Sequence, residues 1–106
     1  MTSLHFGTAA WLALALAGAA RAQSTADALQ LRSLAATCAA CHGTDGRAVA
    51  GAAMPALQGR SRDELLAQLN ALRDGSRPST VMQQIARGYT PAQLAQLAAY
   101  FAAPAP

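Results

Sequence analysis

Both cysteines of the chain, and one of its two histidines, fall within five residues: Cys38-Ala39-Ala40-Cys41-His42. Nothing else in the sequence constrains the fold as tightly, because C-x-x-C-H is the arrangement by which c-type haem is attached. The spacing has a chemical reason. Two thiols one helical turn apart can each add to one of the two vinyl groups of a porphyrin and form thioethers. A histidine immediately after the second cysteine is then aimed at the iron from the same side. Other uses of the motif fit less well. A thioredoxin-like redox pair needs strand–helix–strand surroundings, and no segment alternates with period two. A zinc site needs four ligands, and only Cys38, Cys41 and His42 cluster. A disulfide between Cys38 and Cys41 would close too short a loop to stabilise much.

With 106 residues the chain has room for one small domain. Its first 22 residues read as a cleaved signal peptide. Ala9 to Ala20 is a run of small and apolar residues broken only by Gly18, and Ala20-Arg21-Ala22 has the A-x-A form of a cleavage site. The run is shorter than the ~20 residues a membrane-spanning helix needs. The expected division is therefore residues 1–22 as signal peptide and residues 23–106 as a domain carrying one haem, with no membrane span in the mature chain. A c-type haem is attached after export, so this points to the periplasm. The mature part is marginal on its own apolar core, since a chain so short buries only ~60–65% of its unfolded surface. Its aromatic residues are just Tyr89, Tyr100 and Phe101. A haem would fill the centre that side chains do not.

A histidine-held iron needs a partner on its other face, and methionine is the natural candidate. The mature chain offers Met54 and Met82, and no second histidine for His/His ligation. Met54 is 12 residues past His42 and precedes Pro55, in a segment that must first pass the side of the haem where His42 sits. There His42 needs a carbonyl to fix its ring. Met82 lies 40 residues past His42, far enough to carry the chain around the haem edge. Met82 is the preferred ligand and Met54 a packing residue. The alternative is that Met82 is an ordinary core methionine beside a five-coordinate iron.

The rest of the chain reads as helix and loop. Ala28, Leu31, Leu34, Ala35 and Cys38 recur at helical spacing, which predicts a helix from Thr25 to about Cys38. Residues 43–59 hold Gly43, Gly46, Gly51, Gly59 and Pro55 without periodicity and predict a loop over the haem. Ser61-Arg62-Asp63-Glu64 predicts a capping box. It opens a helix with Leu65, Leu66, Leu69 and Leu72 on one face and Gly75 as its stop. A short helix follows from about Ser79 to Arg87, with Val81, Met82 and Ile85. Thr90-Pro91 caps a last helix striped by Leu94, Leu97, Ala98 and Phe101 and ended by Pro104 and Pro106.

The leucine stripes read as core, with Leu57, Leu65 and Leu69 as candidate contacts to the haem plane. The basic balance, a formal +3 and a pI of about 9.5, comes from arginine alone, and the arginines are scattered singly. That pattern argues against nucleic acid and fits docking to an acidic protein. Arg47, Arg60, Arg77 and Arg87 are each placed to pair with a haem propionate or with such a partner. No nucleophile–base pair and no phosphate-binding loop is present, so no catalytic residue is assigned.

The stretch Cys38-Ala-Ala-Cys-His-Gly-Thr-Asp-Gly46, then Met54-Pro-Ala-Leu-Gln-Gly59 and the segment around Met82, resembles a class I cytochrome c domain of the bacterial periplasmic type. The C-terminal portion is closer still. Ser79-Thr-Val-Met-Gln-Gln-Ile-Ala-Arg-Gly-Tyr-Thr90, with Leu97-Ala-Ala-Tyr-Phe101, is similar to the haem-binding half-domain in the cytochrome subunit of flavocytochrome c sulfide dehydrogenase. The resemblance implies an all-α fold of three to five helices around one covalent haem c. It implies thioether bonds at Cys38 and Cys41, and His42 and Met82 as axial iron ligands. It also implies that the Pro55 carbonyl accepts from the His42 ring. Well-known cytochrome subunits of that enzyme carry two such domains, whereas this sequence has one C-x-x-C-H.

With both axial positions filled there is no open site for substrate, so the expected role is single-electron transfer, the substrate chemistry belonging to a partner. Three readings follow. The chain is the haem subunit accepting electrons from a flavin (FAD) protein of sulfide oxidation, or a free carrier docking transiently with periplasmic redox proteins. The third is a ligand-sensing haem protein with an open distal side.

Overall fold

The computed structural model describes residues 6–103. The order of elements is α1 (Phe6–His42), a single 3-10 turn (Thr44–Gly46), α2 (Arg62–Asp74), α3 (Met82–Arg87) and α4 (Pro91–Ala102), with no strand among the described residues. Residues 1–5 of the expected leader, and Pro104 and Pro106 beyond α4, lie outside the described residues.

Contacts divide the chain between Gln30 and Leu31 into two units. In the first, residues 15–30 are all exposed, among them Leu16 and Leu29. No helix among the described residues is long and apolar enough to cross a membrane. The helix expected over Thr25–Cys38 is longer at both ends. From Phe6 to His42 the sequence has no proline, and alanine-rich sequence favours helix wherever nothing interrupts it. The isolated Gly18 costs about 1 kcal/mol against alanine but does not break the helix. Amphipathic spacing marks only the part that packs, so it located the buried stretch and not the helix ends.

The second unit holds the core. Ala35 of α1, Leu65 of α2, and Leu94, Leu97, Ala98 and Phe101 of α4 form one buried cluster. All four positions of the α4 stripe are buried, whereas in α2 Leu65 and Leu72 are buried and Leu66 and Leu69 half-buried. In the first helix Leu31, Leu34 and Cys38 are half-buried, and Ala28 is exposed. At the start of α2, Glu64 N donates to Ser61 Oγ at 3.2 Å, as expected. The return arm of the capping box is missing. The Glu64 carboxylate instead accepts from Arg60 at 2.9 Å and from Gln68 at 3.2 Å, because a cation one turn back competes better than the Ser61 amide. The reciprocal box forms at α4, where Thr90 Oγ1 accepts from Gln93 N and Thr90 N donates to Gln93 Oε1 at 2.9 Å. Helix α2 stops at Gly75, in the left-handed region at φ 89°.

Candidate haem site

The proximal wall is built in three steps. Helix α1 carries Cys38, Cys41 and His42 on its last turn. The chain then reverses through Gly43, Asp45 and Gly46, all at positive φ. The Gly46 carbonyl accepts two amides, Leu57 N at 2.8 Å and Gln58 N at 3.1 Å, which ties the far end of the loop to its beginning. That tie brings the Pro55 carbonyl oxygen to 2.7 Å from His42 Nδ1. A carbonyl can only accept, so Nδ1 bears the proton and Nε2 of the neutral ring keeps its lone pair. Among the described residues His42 is the only buried polar side chain, at 7% exposure, and no protein group engages Nε2.

Two glycines of this turn admit no side chain: a Cβ on Gly43 would run into the Arg47 carbonyl, and Gly46 is enclosed by its neighbours. Its φ is +74°, and a Cβ there would lie 2.8 Å from Leu57 Cβ and 2.9 Å from Phe101 Cδ1. Helix α4 therefore closes directly over the turn. Its neighbour Tyr100 donates to Asp45 Oδ1 at 2.9 Å and stacks edge-on against Phe101, 5.1 Å between ring centres. That bond pushes the Tyr100 phenol above its ordinary range.

Cys38, Cys41 and His42 open onto a cavity of ≈ 550 Å³, walled further by Leu57, Leu65, Leu69, Leu97 and Phe101 and by Met82 and Ile85 of α3. A wider recess of ≈ 910 Å³ adjoins it and shares His42, Leu57, Leu65, Leu69 and Met82. Leu57, Leu65 and Leu69 thus stand where the sequence places contacts to a haem plane. Of the four candidate arginines, Arg60 and Arg77 line the wider recess, with the Arg60 guanidinium also on Glu64 and Arg77 on Gln68 Oε1. Arg47 and Arg87 line neither space. Burial pushes the Cys38 thiol up, a contact with Thr37 opposes this, and Cys41 adds to it. No disulfide joins Cys38 to Cys41, and Cys41 is the more exposed.

Met82 opens α3, half-buried, and lines both spaces. Met54 does not pack as expected: it is 45% exposed. Where the following residue turns its carbonyl to His42, the methionine side chain is left pointing to solvent. The sequence reading did not single out Thr37, Ile85, Leu97 or Phe101 as cavity residues. The last two were legible as core, and here core and cavity wall are the same surface.

The donor set fits a covalent haem: two thiols and an accessible imidazole nitrogen on one side, a thioether in reach of the same space, and apolar walls between. The family model for cytochrome c matches residues 31–103. The chain belongs to the cytochrome c family. One covalent haem c is the cofactor that this membership and the Cys38–His42 motif give it. Its function is that of a cytochrome c electron carrier.

Among similar proteins, the cytochrome subunit of sulfide dehydrogenase of Chlorobaculum tepidum is 40% identical over 65 residues, 61% of this chain and 57% of that protein. Cytochrome c4 of Pseudomonas aeruginosa is 40% identical over 91 residues, 86% of this chain and 44% of that one. Cytochrome c-554(548) of Halomonas halodenitrificans is 40% identical over 68 residues, 61% of this chain and 81% of that one. The matched part of this cytochrome thus spans about half the length of the first two.

Proposed function

We propose that this cytochrome is a periplasmic haem subunit accepting single electrons from a flavin-containing sulfide dehydrogenase, with His42 and Met82 as axial ligands and Cys38 and Cys41 as thioether anchors. The observation that carries the ligand set is that His42, with Nδ1 held by Pro55, and Met82 line the same apolar cavity beside both cysteines. The partner is supported by the motif from Ser79 to Thr90 and by similarity to a relative named as a cytochrome subunit of sulfide dehydrogenase. Residues 1–22 are proposed to be removed on export. The run Ala9–Ala20 and the following Ala-Arg-Ala support this, and a haem-bearing intact mass that still includes Trp11 would exclude it.

Haem supplies the Fe(II)/Fe(III) couple. The chain supplies everything that tunes and confines it. Pro55 holds the His42 ring proton on Nδ1 and so orients Nε2 toward the cavity. The thioether of Met82 would be a second ligand to the iron, and the apolar walls would keep water from it; both would favour the reduced state relative to His/His ligation. Arg60 and Arg77 present cationic groups at the wider recess, where haem carboxylates would meet them.

The test is the absorption spectrum of the untagged protein from its native periplasm, before and after sulfide. Flavin bands beside those of haem, with the haem reduced by sulfide, support the subunit reading. A haem spectrum without flavin and without response to sulfide makes it a free carrier. That second reading is favoured by the single C-x-x-C-H and by the 81% of the Halomonas cytochrome that the chain covers.

A further inference from the structure

Helix α3, which carries Met82, has little of its own to hold it. It is six residues long, against the 12–15 at which an isolated helix becomes even marginal. Only Ala86 of it is buried, Ile85 and the preceding Val81 are exposed, and its start is held by one bond, Met82 N donating to Ser79 Oγ at 3.1 Å. What fixes its far end is Tyr89, just past the helix. Tyr89 N donates to Ala86 O at 3.2 Å, and the Tyr89 carbonyl accepts from Arg73 Nε of α2 at 3.1 Å. The Tyr89 hydroxyl lies 2.6 Å from Thr37 Oγ1, next to Cys38 on α1.

The direction of that last bond follows from proton counting. Thr37 Oγ1 is 2.8 Å from Leu34 O, which can only accept, so the single hydroxyl proton of Thr37 is committed there. Tyr89 must therefore be the donor and Thr37 the acceptor. The contact to Cys38 Sγ at 3.9 Å changes nothing once that sulfur is a thioether, since it then has no proton to give. A directed chain, Tyr89 Oη–H to Thr37 Oγ1–H to Leu34 O, thus joins the α3 end of the cavity to the helix bearing the haem attachment residues.

We propose that the Tyr89–Thr37 hydrogen bond is a latch that holds α3 and its Met82 closed over the haem cavity, making Tyr89 a positioning residue for the distal side. The inference rests on the reading of Met82 as iron ligand. Breaking the latch does not unfold the protein; it raises the population in which α3 has swung away and the distal side is open. An ordinary hydrogen bond is worth enough to change that population roughly two- to tenfold.

The test uses the haem-loaded protein and four variants: Tyr89→Phe, Thr37→Val, Thr37→Ser and Met82→Ala. Carbon monoxide association with the ferrous form and amide exchange of residues 83–88 should both speed up roughly two- to tenfold in Tyr89→Phe and in Thr37→Val. Exchange in α2 and α4 should not move. Thr37→Ser keeps the acceptor and should behave as wild type. A fifth variant that combines Tyr89→Phe with Thr37→Val should be no faster than the faster of those two alone. If Tyr89→Phe and Thr37→Val match wild type in both readouts, the latch is overturned and the ligand assignment stands. If the methionine-to-iron charge-transfer band of the ferric protein is absent from wild type, or survives in Met82→Ala, the ligand assignment falls and the latch with it.

Discussion

The two walls of the haem cavity are built on different principles. The proximal wall sits on the last turn of α1 and is tied by short main-chain bonds: Gly46 O to two amides, and Pro55 O to His42. The distal wall is a six-residue helix with one buried side chain, laid along α2 and tied at its far end through Tyr89. The proximal wall is thus part of the core, and disturbing it should cost stability or the haem itself. The distal wall is an appendage, and disturbing it should change access and ligation first. The difference matters for a haem protein, because the wall that bears Cys38, Cys41 and His42 must survive maturation while the α3 wall needs only to stay in place.

The largest effect that would break this contrast concerns the anchors. Cys41→Ala or Cys38→Ala leaves one thioether at most, and covalently bound haem, read by haem staining of denatured protein, should fall several-fold or vanish. Gly46→Ala comes next. It introduces a Cβ at φ +74° with two contacts under 3.0 Å, and should lower stability by about 2–4 kcal/mol in denaturant unfolding. If Gly46→Ala is tolerated, the proximal wall is softer than its geometry says.

Met82→Ala should cost less, about 1–3 kcal/mol for a half-buried methionine, while opening the ferrous protein to carbon monoxide and lowering the reduction potential. A stability loss as large as that of Gly46→Ala would erase the distinction between the walls. Pro55→Ala keeps the carbonyl that meets His42, so its effect should stay below about 1 kcal/mol, mostly through the unfolded chain.

The smallest effect is one of pH. The Tyr100 phenol is held protonated in the folded chain, chiefly by its bond to Asp45, so its folded pKa lies above the unfolded value. Its stabilisation is fully present below that unfolded value of about 10 and is lost as pH rises through the higher folded one. Stability measured against pH should therefore dip in that alkaline range, and Tyr100→Phe should remove the dip.

Much of this molecule is legible without coordinates where one residue type has one use. The stripe Leu94, Leu97, Ala98 and Phe101 is spaced for burial and is buried. Gly75 stops α2 because only glycine enters the left-handed region cheaply. The caps at Ser61 and Thr90 form where they are expected, and only the return arm of the Ser61 box fails, because Arg60 competes for the Glu64 carboxylate and no pattern reports competition from side chains. Met54, expected as a packing residue once Met82 is preferred as the ligand, is instead turned out by the loop.

The sequence by itself determined the chemistry: Cys38, Cys41 and His42 are contiguous, and a helical turn suffices to put two thiols and an imidazole on one side of a planar guest. It also determined the helical class and the buried faces, since periodicity is a local property of the chain. The tertiary structure alone decided how the turn after His42 is tied beneath α4, which arginines line the recess and what restrains α3. Each of those depends on bonds between residues far apart in the chain, Leu57 with Gly46, Tyr100 with Asp45, Tyr89 with Thr37. Such bonds carry no local signal, because neither partner needs to be unusual for the pair to form.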